Sequence, residues 1–167
     1  MKAKSYKDIA IKYARDAVEG KSIVGKEVVL ACQRFLDDME RFDLHEKEPD
    51  FVIGIIEKLM VHKQGEDIKG NSLVNQPMIL LPWQVFCVYN LIGFYYKGTN
   101  ERRYKEAFIY VPRKNGKTFM IASLAFGLAL LERRSGSKIY ITSASAKQAQ
   151  QSFEDIVYTL KRKKIID

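Results

Sequence analysis

Cysteine is scarce. The 167 residues hold two, Cys32 and Cys87, with no CxxC spacing. Each falls inside an apolar helical pattern, and the two histidines, His45 and His62, form no ligand cluster with them. That argues against a zinc site and reads as buried, reduced thiols. Long apolar runs are missing too. The longest, "FMIASLAFGLALL" at 119–131, falls short of the roughly 20 residues needed to span a bilayer. The N-terminus, "MKAKSYKDIA", lacks the apolar centre of a secretory signal. The expectation is a soluble, cytoplasmic protein with no membrane partner. There is no internal repeat and no low-complexity tract.

Acidic residues are in the minority, 20 against 28 lysines and arginines, for a net charge of +8. A basic surface favours polyanions, nucleic acid and nucleotides among them, although a lysine-rich solvated surface gives the same sum. Apolar residues make up 47%, enough for a proper core.

The first half reads as helical. Tyr6, Ile9, Ala10, Tyr13, Ala14, Ala17 and Val18 recur at helical spacing, and "EGKS" breaks the pattern. Val28, Cys32, Phe35, Leu36 and Met39 mark a second helix. "HEKEPD" at 45–50 reads as a polar connector, and Val52, Ile55, Ile56, Leu59 and Met60 as a third helix. Residues 63–76 read as loop with a short hairpin. "PMILLPW" is extended, because Pro82 biases Leu81 away from helix. The helix from Trp83 onward is apolar on most sides, which predicts burial against a sheet. "EAFIYV" at 106–111 and "KIYIT" at 138–142 read as strands. A helix over about 117–132 lies between them. Ala149, Phe153, Ile156, Val157 and Leu160 mark a final helix that closes in "KRKK".

The second half thus alternates strand, loop, helix, strand, helix. This predicts an α/β fold of P-loop NTPase type, with an incomplete parallel sheet flanked by helices. A helical N-terminal segment over 1–48 precedes an ATPase portion over 49–167.

The chemistry centres on "VPRKNGKTF", 111–119. A phosphate-binding loop turns successive backbone N–H groups toward phosphate oxygens. A lysine then reaches the β- and γ-phosphates, and a Ser or Thr hydroxyl holds Mg²⁺ at a helix N-terminus. Gly116, Lys117 and Thr118 are in register for those roles. The usual first glycine is absent, and Val111 takes its place, with Pro112 stiffening the approach. A strand-to-helix turn that exposes a lysine accounts for the same letters. Arg113, close to Lys114 and Lys117, fits a polyphosphate or charge developing in phosphoryl transfer. It also fits a solvated loop. In "LLPWQ", 80–84, Gln84 carries the donor and acceptor that adenine's Hoogsteen edge requires. Trp83 offers an aromatic wall or simple packing. "TSASAKQAQQSF", 142–153, puts small residues where ligands meet a parallel sheet, or forms a βα turn with Ser145 as cap.

In this order and spacing, "LLPWQ", "VPRKNGKT" and "TSASAKQAQQSF" resemble the N-terminal part of the large terminase subunit of tailed double-stranded-DNA bacteriophages, an ATP-driven DNA-packaging motor. The Val-for-Gly exchange is then a habit of that family. The resemblance implies ATP and Mg²⁺ as cofactors. Gln84 would read adenine. Pro112, Arg113, Lys114, Asn115, Gly116, Lys117 and Thr118 would cradle the phosphates. Arg113 and Lys117 would be catalytic, and Thr118 would hold the metal. Double-stranded DNA, a small terminase subunit and a portal are the implied partners. A homo-oligomeric ring is implied as well, in the bacterial host cytoplasm and not retained in the mature virion.

No run of four apolar residues ending in Asp-Glu follows the loop, so a Walker B is missing, as are the coupling motif and the nuclease carboxylates. The expectation is therefore a fragment of an ATPase and endonuclease that binds ATP weakly but neither hydrolyses it nor cuts DNA. Two alternatives stay open: part of another helicase-like DNA translocase, and a basic DNA-binding or adaptor domain without nucleotide chemistry.

Overall fold

The computed structural model describes residues 5–67, 69–112, 115–132 and 138–166. The chain divides into two compact units. One comprises residues 1–50 and 80–109, the other 51–79 and 110–167.

The first unit is built on α1 (Tyr6–Val18), α2 (Lys26–Arg41) and α4 (Pro82–Ile92), with α1 packed on both of the others. Ser5 starts α1, its hydroxyl accepting from the Asp8 N–H at 3.1 Å, which satisfies one of the unpaired first-turn donors. The buried face of α1 is Ala10, Ala14 and Ala17, small enough for two helices to approach closely. Against it runs a chain of rings, Tyr13 to Phe86, Phe86 to Phe35 and Phe35 to Phe94, at centroid spacings of 5.3, 5.2 and 5.3 Å. Those spacings lie in the range where tilted and edge-on aromatic pairs attract.

Pro82 opens α4, where its missing N–H costs no hydrogen bond. The sequence predicted that α4 would be buried by a sheet. It is buried instead by helices and their rings, and the sheet of this unit is minimal. β1 (Asp43–Leu44) pairs antiparallel with β2 (Phe94–Tyr95), Asp43 opposite Tyr95 and Leu44 opposite Phe94. The tyrosines at its margin are held by carboxylates: Tyr89 donates to Asp50 and Tyr95 to Glu48.

The helix α3 (Lys47–Leu59) begins inside the stretch expected to be a connector. Pro49 is tolerated there because it falls in the first turn. From Phe51 onward α3 belongs to the second unit, whose buried residues include Val52, Ile53, Ile56, Met60, Met78, Met120 and Leu124. A narrow hairpin follows, with bridges between Val61 and Pro77 and between Glu66 and Ser72. Asp67 closes its tip by accepting from the N–H groups of Lys69 at 2.7 Å and Asn71 at 2.9 Å.

The remaining helices, α5 (Lys117–Glu132) and α6 (Ala146–Arg162), pack on each other. A Cβ at Gly127 of α5 would stand 2.9 Å from Val52 Cγ1, so glycine is what lets α5 approach α3. The parallel sheet expected from the sequence is not formed among the described residues. Residues 106–112 and 138–143 carry no strand pairing, and Phe108 (91% exposed), Tyr110 (85%) and Tyr140 (80%) stand in solvent. A strand pattern in sequence does not make a strand until a neighbour supplies the ladder. Among the described residues no helix is long and apolar enough to cross a membrane.

Candidate functional site

Gly116 precedes α5 at φ +68°, in the left-handed region where a side chain is strained. Lys117 and Thr118 are the first two residues of α5, and both are exposed. The first-turn N–H groups of a helix lack intrahelical partners and carry its positive dipole end. Ahead of the turn, Asn115 Nδ2 donates to the Pro112 carbonyl at 3.3 Å, closing the loop across its tip. Arg113 and Lys114 lie outside the described residues.

A cavity of about 490 Å³ opens at this turn. Its walls are Pro112, Gly116, Lys117, Thr118 and Phe119 from the loop and α5, His62, Lys63 and Gln64 from the hairpin, and Gln151 and Asp155 from α6. The size is within the roughly 300–1,000 Å³ of small-ligand sites. The sequence placed Pro112, Gly116, Lys117 and Thr118 together, and they are together. Asn115 sits beside them in the loop. Gln84 belongs to the other unit, where it is 5% exposed and its Oε1 accepts from the Leu81 N–H at 2.8 Å.

Five lining residues were missed from sequence. His62, Lys63 and Gln64 fall in a stretch with no motif. Gln151 falls within the 142–153 stretch already read as a possible ligand edge, though it was not singled out there, and Asp155 lies four residues on, a spacing that shares one helix face. The His62 ring meets Phe119 at 5.0 Å, and burial holds its imidazole below the ordinary range. Burial raises the Asp155 carboxyl, with Lys63 opposing that shift and Glu154 adding to it. Lys63 Nζ lies 2.9 Å from Glu154 Oε2. The pair raises the lysine and lowers the carboxyl.

The hairpin is held firmly where it meets the site. The Met78 N–H donates to the Met60 carbonyl at 2.9 Å, His62 N–H to the Gln76 carbonyl at 3.0 Å, and Asn75 N–H to the His62 carbonyl at 2.8 Å. Fully buried Thr159 of α6 accepts from the Val61 N–H at 3.4 Å, and Tyr158 donates to Asn75 Oδ1 at 2.7 Å. Within α5, Ser123 returns its hydroxyl to the Phe119 carbonyl at 2.7 Å.

The donor set is an ammonium, a hydroxyl and helix-end N–H groups at a glycine turn, which is what phosphate oxygens need. It also suits Mg²⁺ held jointly with a nucleotide. Among the described residues no cluster of three or more His, Cys, Asp or Glu side chains could hold a metal alone. Magnesium ordinarily relies on substrate phosphates and one or two protein oxygens.

A family model, "Terminase large subunit, ATPase domain", matches residues 82–166, taking in α4, the loop, α5 and α6. The chain belongs to the terminase large subunit ATPase family. Searches of curated proteins and of solved structures gave no match. The terminase match begins at α4 and so takes in Gln84 as well as the cavity's loop and α6 walls; the hairpin lies outside it.

Proposed function

We propose that this chain is the ATP-binding part of a terminase large subunit, the motor that drives double-stranded DNA into a viral procapsid. The observation that carries the reading is Gly116, Lys117 and Thr118 at the head of α5, opening on a cavity of about 490 Å³ in a chain matched by the terminase ATPase model. Lys117 binds the β- and γ-phosphates, and Thr118 supplies a hydroxyl to Mg²⁺. As the family resemblance implies, Pro112, Arg113, Lys114 and Asn115 would join in holding the phosphates, and Arg113 would assist cleavage at the γ-phosphate. Gln84 reads the adenine. Bound Mg²⁺ supplies neutralisation of the phosphate charge. The basic surface, +8 overall, suits a DNA partner. The small terminase subunit, the portal, a ring of copies, a host-cytoplasmic setting and an incomplete parallel ATPase sheet complete the proposal.

Equilibrium titration with Mg-ATP tests it. Removing a charge-assisted phosphate contact is worth about 1.5–3 kcal/mol, so Lys117→Ala weakens binding by at least about tenfold. Equal affinity in the two proteins would sink the reading and favour a DNA-binding domain indifferent to nucleotide.

A further inference from the structure

We propose that Lys63 is a phosphate-binding cation of this cavity beyond those of the loop, held by Glu154 in the free protein and released to a bound polyphosphate. The inference rests on the nucleotide reading of the cavity.

Among the described residues two lysines line the cavity, Lys117 from the phosphate loop and Lys63 from the hairpin. The backbone of Lys63 is fixed by its neighbours, since His62 bonds Gln76 and Asn75 while Val61 bonds Thr159. Its side chain is not fixed in that way. It is 38% exposed, on a flexible four-carbon stem that can redirect its ammonium without moving the loop. The contact it now makes is an exposed ion pair with Glu154, itself 44% exposed. Such pairs are worth little in water, a factor of about five or less in an equilibrium constant. A polyphosphate offers several negative charges where Glu154 offers one, so the exchange favours the ligand.

Glu154 can let go without being stranded. Its other oxygen accepts from Gln150 Nε2 at 2.9 Å, one turn back on α6. Lys63 also offsets a carboxylate in the cavity wall. Asp155 is the carboxylate of its wall and opposes any anion bound there. Lys63 is the charge already acting on Asp155 in the favourable direction. Occupancy would therefore change which charge α6 presents: empty, Glu154 is neutralised by Lys63; filled, it is freed. Lys63 lies outside the residues matched by the terminase family model, and Glu154 lies within them.

The test uses the full chain, with Mg-ATP and inorganic tripolyphosphate titrated separately. Lys63→Ala should weaken both by about five- to tenfold, less than Lys117→Ala because giving up the Glu154 pair offsets part of the new contact. Glu154→Gln should tighten both by about two- to fivefold. In the Lys63→Ala background the Glu154→Gln gain should vanish, because the two residues act as one unit. Lys161→Ala, at the far end of α6, serves as the control for general charge and should change neither affinity. Affinity unchanged in Lys63→Ala while Lys117→Ala abolishes binding would overturn the proposal and leave the nucleotide reading standing. So would a Glu154→Gln gain that persists without Lys63, or an equal loss in Lys161→Ala. Full affinity in Lys117→Ala would overturn both.

Discussion

Asp38 is fully buried on α2 and forms an ion pair with Arg103, which itself lies over the Phe42 ring at 4.0 Å from its centroid. Tyr104 adds a hydroxyl to the same carboxylate at 3.2 Å. Breaking such a pair from one side leaves a buried charge with no counterion, which costs about 3–5 kcal/mol. Arg103→Ala should therefore lower the unfolding free energy by about 3 kcal/mol in urea denaturation. The double change Asp38→Leu with Arg103→Met should recover most of that loss. A loss under about 0.5 kcal/mol in the single variant would show that water already reaches the pair.

Gln84 has a structural duty independent of any ligand, since its Oε1 caps the Leu81 N–H. Gln84→Ala should cost about 1 kcal/mol by thermal or chemical unfolding. If Gln84 also reads adenine, the same variant should bring the ATP-to-GTP affinity ratio toward unity. A ratio unchanged in the folded variant would confine Gln84 to capping.

Gly127 is set by contact, because a Cβ there would press on Val52 Cγ1 at 2.9 Å. Alanine would gain about 1 kcal/mol in helix propensity, but overpacking costs about 1–3 kcal/mol. Gly127→Ala alone should thus be destabilising by about 1 kcal/mol. Against a Val52→Ala background the same change should turn neutral or stabilising. Additive effects in the double variant would remove the contact as the cause.

The thiols report the first unit. Burial pushes both Cys32 and Cys87 up to about 11, with Cys32 a further small influence on Cys87. A thiol raised on folding adds stability below its unfolded value and loses it as pH climbs toward the folded one. Stability should fall between about pH 9 and about pH 11 for this reason, and Cys32→Ala should flatten part of that slope. At pH 8 both thiols should alkylate slowly unless denatured. Rapid labelling of Cys32 in the native protein would contradict its burial.

The helices were legible in sequence where one face alone was apolar, as in α1, whose Ala10, Ala14 and Ala17 are its buried residues. The glycine turn at Gly116 and the start of α5 at Lys117 were legible because both are set by local sequence. The final helix was read one step out of phase. Its apolar Phe153 is 59% exposed, while the hydroxyls of Ser152 and Thr159 are inside. Thr159 is buried because it satisfies the Val61 N–H, a partner far away in sequence that periodicity cannot name. The hairpin's place in the cavity wall was illegible for the same reason. The strand readings rested on residue type, and residue type does not supply the ladder partner.

Phe108, Tyr110 and Tyr140 give the chain adhesive ribs under a repelling coat of one sign. As a colloid its behaviour depends on which reaches farther. At about 0.01 M salt the coat extends roughly 30 Å and keeps particles apart; at about 1 M it shrinks to roughly 3 Å and the ribs can touch. These three exposed rings therefore make ionic strength the control on whether a concentrated solution stays clear.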